Sequence, residues 1–103
     1  MDDFPVIAER MLDLQDKESK QSVRVQILIG KPYWVDEGNE AACPVAIHGL
    51  VGRTEDIHGA DLFQALELAI AFVNYLLNSI PPGKVLTWMD GDPWVMTKDP
   101  WVK

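Results

Sequence analysis

Residues 59–78 read GADLFQALELAIAFVNYLLN. The fold is decided by how this stretch is read. Gln64, Glu67, Asn74 and Asn78, with small Ala71 between them, recur at steps of three and four. That is the period of an α-helix. Asp61 suits the N-cap, and Gln64 three residues later completes a capping-box pattern. Pro81, Pro82 and Gly83 end the run. The spacing therefore predicts a helix from about Leu62 to Asn78. Its polar positions form one narrow stripe, and the rest of its circumference is apolar. An ordinary surface helix needs an apolar arc of only about 100° or a little more. This helix is expected to be covered on more than one side, by a sheet plus a loop, the C-terminal tail or a second subunit.

Upstream of Gly59 the pattern has period 2. Val23, Val25, Ile27 and Ile29 alternate with Ser22, Arg24 and Gln26, which reads as a half-buried strand over 22–30. A less regular strand fits 6–14, and the wholly polar stretch 15–21 reads as a loop. Residues 33–40 are expected to form a longer acidic loop. A strand over 42–48 places Cys43, Val45 and Ile47 on one face, with Pro44 suggesting an edge or a strand start. A short strand is expected at 53–58. Downstream, Lys84–Met89 reads as a strand. Asp90-Gly91 is a hairpin turn signal, and Pro93–Thr97 is the return strand. The expected architecture is a single α+β domain over residues 1–103. It has a four-strand antiparallel meander and a C-terminal hairpin, with one long helix against a sheet face.

The composition narrows the function classes. The 103 residues allow one domain. No apolar run reaches the roughly 18–20 residues of a spanning helix. The acidic start, Met1 to Pro5, is unlike a secretory signal. Cys43 is the single cysteine, so no internal disulfide forms. A cytoplasmic protein is expected. The formal net charge is −7, and residues 36–61 alone carry −5. Nucleic acid and anionic membranes are therefore not expected partners. A solvated surface that maintains solubility and a surface that steers a basic partner both fit this charge.

No catalytic signature stands out. Cys43 and His48 are five apart in one predicted strand, hence on opposite faces. Cys43 behaves there as a small hydrophobe. His48, Asp56 and His58 lack tight metal-ligand spacing. Asp90-Gly91-Asp92 lacks the further ligands of a calcium loop. No enzyme activity, cofactor or metal is expected. Trp88, Trp94 and Trp101 fall near the C-terminus, where they could cover the helix or form an exposed aromatic platform. Tyr33 and Trp34 directly precede Asp36, Glu37 and Glu40. Aromatic anchors beside acids suit binding to a basic protein surface. A loop folded back on the sheet accounts for them equally well.

Gly59-Ala-Asp-Leu-Phe-Gln-Ala-Leu-Glu-Leu-Ala69, with Cys43-Pro44 before it and Gly83 to Trp88 after it, resembles a family of small uncharacterised bacterial proteins. These have a Gly-x-Asp-x-x-Gln-Ala-Leu-x-Leu-Ala helix start. The resemblance covers roughly residues 42–94 and implies the architecture and a bacterial cytosolic origin, but no activity. In size and charge the chain also looks like the immunity proteins of bacterial toxin systems. The leading expectation is a non-enzymatic interaction module that neutralises a basic, nuclease-type toxin. Tyr33, Trp34, Asp36, Glu37, Glu40, Glu55 and Asp56 would form its contact surface. The alternative is a small-molecule-binding domain with a pocket between helix and sheet. A hydrolase built on scattered carboxylates and histidines ranks last. A homodimer is compatible with all three.

Overall fold

In the computed structural model, residues 3–95 are described. The strands are β1 (Val6–Asp16), β2 (Ser22–Gly30), β3 (Tyr33–Asp36), β4 (Glu40–Cys43), β5 (Val45–His48), β6 (Gly52–Arg53), β7 (Ile57–Gly59) and β8 (Lys84–Thr87). The helix α1 spans Leu62–Leu77, between β7 and β8. The strands form a five-stranded sheet in the order β6-β5-β2-β1-β8 and a three-stranded sheet in the order β3-β4-β7. Every pairing is antiparallel.

The two sheets arise from one long hairpin that changes direction at two prolines. β2 pairs β5 with Ile29 opposite Val45, and β3 pairs β4 with Tyr33 opposite Ala42. Between the two ladders the register slips by one residue. Pro32 lies at this junction on one side and Pro44 on the other. Neither has an N–H to donate to a ladder, so continuous pairing is interrupted there. The Gly30 N–H donates to the Pro44 carbonyl at 2.9 Å and ties the two arms together at the bend. A third strand follows the same course. Its first part, β6, pairs β5, and its second, β7, pairs β4.

This arrangement corrects several expectations. The stretch 33–40 is a hairpin and not an open loop. Its turn is closed by the Asn39 N–H donating to the Asp36 carbonyl at 2.8 Å. Gly38 supplies a left-handed residue there, with φ +80°. The single strand expected over 53–58 is two short strands belonging to different sheets. β8 turns back at Asp90-Gly91 as expected, with the Trp94 N–H donating to the Leu86 carbonyl at 2.9 Å, but it also pairs with β1, Leu86 opposite Leu14. The return segment contributes one bridge, Thr87 to Pro93. Residues 96 and 97 of the expected return strand, and Trp101, lie outside the described residues.

α1 packs chiefly on β4 and β7. Its buried side chains are Ala65, Ala69, Val73 and Leu77, one every fourth residue. They meet Ala41 and Cys43 of the small sheet and Leu12, Val25 and Ile47 of the large one in a shared core. Small residues at the N-terminal end let the backbones come close. A Cβ on Gly59 would lie 2.5 Å from the Ala65 amide nitrogen and 2.9 Å from its Cα. The cap forms as expected at Asp61, whose Oδ1 accepts from the Gln64 N–H at 2.7 Å. The reciprocal bond is displaced by one residue. Gln64 Oε1 accepts from the Ala60 N–H at 2.6 Å and not from that of the N-cap residue. The Gly-x-Asp-x-x-Gln-Ala motif is thus accounted for by packing and capping.

The opposite face of α1 is not covered by the described residues. Phe63 is 72% exposed and Tyr75 69%. The expected covering on more than one side is therefore absent within residues 3–95.

Gly59→Ala is expected to destabilise the fold by roughly 1–3 kcal/mol, because the added carbon meets helix backbone, which cannot turn aside as a side chain can. Asp61→Ala should cost about 1 kcal/mol through the lost cap. Urea unfolding of both variants checks this. Wild-type stability in Gly59→Ala would show that helix and strand are not in close approach.

Candidate functional site

The residues singled out from the sequence gather on the three-stranded sheet and the segment leading into it. Strand pairing puts Tyr33, Ala42 and His58 in one row, and Trp34, Ala41 and Gly59 in the next. Side chains alternate between faces, so Trp34 shares the α1 side with Ala41. Tyr33, Glu40 and His58 share the other side. All four residues of β3 are exposed, and the strand forms an outer edge of its sheet. The ladder is irregular between Trp34 and Asp36, so Val35 sits at a bulge.

The seven candidate residues do not act alike. Tyr33 donates its phenol hydrogen to Asp56 Oδ2. Asp56 is also paired with Arg53 Nη2 at 2.7 Å, and Arg53 Nε reaches Asp3 at 2.8 Å. The Arg53 guanidinium lies 4.9 Å from the centre of the Phe4 ring. Asp56 is therefore held within the protein, and it shares the one Arg53 charge with Asp3. Glu40 is paired with His58 Nδ1 at 2.5 Å. Asp36 accepts from the Asn39 side chain at 3.3 Å and holds the turn. Glu37 and Glu55 are exposed. The outward-facing set is thus Tyr33, Trp34, Asp36, Glu37 and Glu55. The sequence pointed to the acids but not to the Asp3–Arg53–Asp56–Tyr33 network. Its one available signal was Arg53, the lone base in the acidic stretch.

The network sets local acid–base properties. Donating a hydrogen bond to a carboxylate holds the Tyr33 phenol neutral and raises its pKa. The Arg53 pKa is raised by its bond to Asp3, and the Asp3 carboxyl is held below its usual range by the same bond. Cys43 is fully buried, and its Sγ donates to the Gly30 carbonyl at 3.4 Å. Burial first, and then the Asp56 charge, push this thiol up to about 11. A nucleophilic cysteine needs the reverse. His48 stands on β5 opposite Gln26, and His58 on β7 opposite Ala42, in different sheets. Among the described residues no three His, Cys, Asp or Glu side chains are grouped to hold a metal ion. No helix among them is long and apolar enough to cross a membrane.

Cys43 and Tyr33 both bind their protons more tightly in the folded state. Stability they contribute is fully present below their unfolded pKa values and is lost as pH rises through the folded ones. Unfolding free energy is expected to fall between about pH 9, the ordinary thiol value, and about pH 11. Cys43→Ala should flatten part of that fall. In the native protein at pH 8, Cys43 should resist a thiol-exchange reagent until denaturant is added. Rapid native labelling would contradict its burial.

With this geometry in place, the comparisons with known proteins add one assignment. No curated protein matches the chain, and no solved structure matches it. A family model described as a domain of unknown function, DUF6968, matches residues 8–94. That span runs from β1 through α1 to the buried Trp94, and the chain belongs to the DUF6968 family.

Proposed function

We propose that the protein is a non-enzymatic interaction module that docks a basic protein partner along β3. The supporting observation is the β3 edge itself. An edge strand presents unpaired backbone N–H and C=O groups, and natural proteins usually blunt such edges with charge, proline or a covering element. Here the edge carries exposed Tyr33, Trp34 and Val35 and ends at Asp36 and Glu37. That combination suits an extended segment of a partner added as a further strand, with aromatic side chains as anchors. The acids at the hairpin tip, together with a net charge of −7, favour a partner rich in lysine and arginine. They would speed its approach by electrostatic steering. An immunity protein neutralising a basic, nuclease-type bacterial toxin is the specific function this surface fits best.

The test is capture from a lysate of the source organism, with the wild type and with two variants, Trp34→Ala and Asp36→Lys/Glu37→Lys. A basic protein retained at low salt, released at high salt and lost by both variants is the expected result. Co-expression with that protein should then relieve its toxicity in wild-type form and fail to do so in the charge-reversed form. Identical retention by wild type and variants would remove β3 as the docking edge.

A further inference from the structure

We propose that the cleft between α1 and the β1–β2 face binds a small amphipathic monoanion, an aliphatic carboxylate, quite apart from any protein partner. The cleft has a volume of about 340 Å³, at the small end of ligand sites. Ile27 and Ile29 of β2 line one wall, and Ile70 and Val73 of α1 the other. These walls are aliphatic and suit a hydrocarbon body.

Arg10 and Trp94 at the cleft can only donate, and Asn74 of α1, which also lines it, can donate or accept. Trp94 lines it and is only 8% exposed, with its backbone fixed by a 2.9 Å bond to the Leu86 carbonyl. Its indole Nε1 is buried and has no hydrogen-bond partner. Buried polar groups are almost always paired, and one left unpaired beside a cleft calls for an acceptor. Arg10 lies opposite Ile27 in the β1–β2 ladder and so shares its face. Its guanidinium stands 5.5 Å from the Trp88 ring centre. Arginine cannot accept a hydrogen bond, and an indole N–H only donates. Glu9 also lines the cleft, but its carboxylate is bonded to Gln26 at 2.7 Å, on the opposite face of the ladder. A cation and an orphaned N–H beside aliphatic walls together specify a ligand with one anionic, acceptor-rich end and an apolar body. The Trp94 ring has to turn for its buried N–H to reach that end.

The test uses octanoate as the probe and the full chain labelled with nitrogen-15. The Trp94 indole N–H signal, assigned by its loss in Trp94→Phe, should move in a saturable way as octanoate is added. Trp94→Phe keeps an aromatic ring and removes the donor. Arg10→Gln removes the charge. Each should weaken octanoate binding about tenfold or more, as loss of a hydrogen bond to a charged group does. 1-Octanol should bind more weakly than octanoate by a similar factor. Three results would each overturn the proposal: a stationary Trp94 signal, octanol binding as well as octanoate, or shifts confined to the outer α1 face at Phe63 and Tyr75. If Trp94→Phe does not fold, Arg10→Gln decides, and unchanged affinity there also overturns it. Asp36→Lys/Glu37→Lys should leave the octanoate titration unaltered, so failure at β3 and failure at the cleft are read separately.

Discussion

The contact between Gly59 and the first turn of α1 sets the geometry of everything around it. With a Cβ on Gly59 only 2.5 Å from the Ala65 nitrogen, the strand and helix backbones are in direct contact. Ala65 and Ala69, facing Ala41, keep the separation small along the next turn. The helix packs on β4 and β7 and touches the five-stranded sheet much less, mainly at β2. Val73 and Leu77 reach that sheet's core. Ile70 and Val73 stand across a gap from Ile27 and Ile29, and the cleft is that gap. Close packing at the N-terminal end of the helix thus gives way to a cleft beside its middle turns, while Leu77 at its far end is buried again.

Legibility in the sequence followed the range of each interaction. The helix and the alternating strand at 22–30 could be read because their periods are local. The inward assignment of Val25, Ile27 and Ile29 holds, while Val23 near the strand start is exposed. The hairpin at 33–40 escaped because its aromatic and acidic residues lack the apolar alternation of a half-buried strand. It pairs at an exposed edge, where that alternation is not required. Pairing of β8 with β1 joins segments about 70 residues apart, and no local pattern encodes it. The Asp90-Gly91 signal did mark a turn, since the Gly91 N–H donates to the Trp88 carbonyl at 2.9 Å. Beyond that turn the chain bridges Thr87 at Pro93 and buries Trp94.

The candidate surface was legible in composition and not in geometry. Seven residues could be chosen by proximity to acids and aromatics, but a linear sequence does not say which acids are already answered. Asp56 is paired with Arg53 and accepts from Tyr33, and Glu40 contacts the His58 ring. Exposed pairs of this kind contribute little to stability, about 0–1 kcal/mol each. Asp36 and Glu37 stand at the hairpin tip, directly beside the open edge.

Charge and exposed apolar surface also constrain each other across the molecule. Phe63 and Tyr75 on the outer face of α1, and Trp34 and Val35 on β3, are exposed large hydrophobics. A net charge of −7 opposes contact between identical copies. The same charge lowers the free energy of approach for a cationic surface. Both effects weaken as salt shortens the screening length to about 10 Å at 0.1 M. At the hairpin tip the acids lie next to a strand whose backbone edge and aromatic side chains are both exposed.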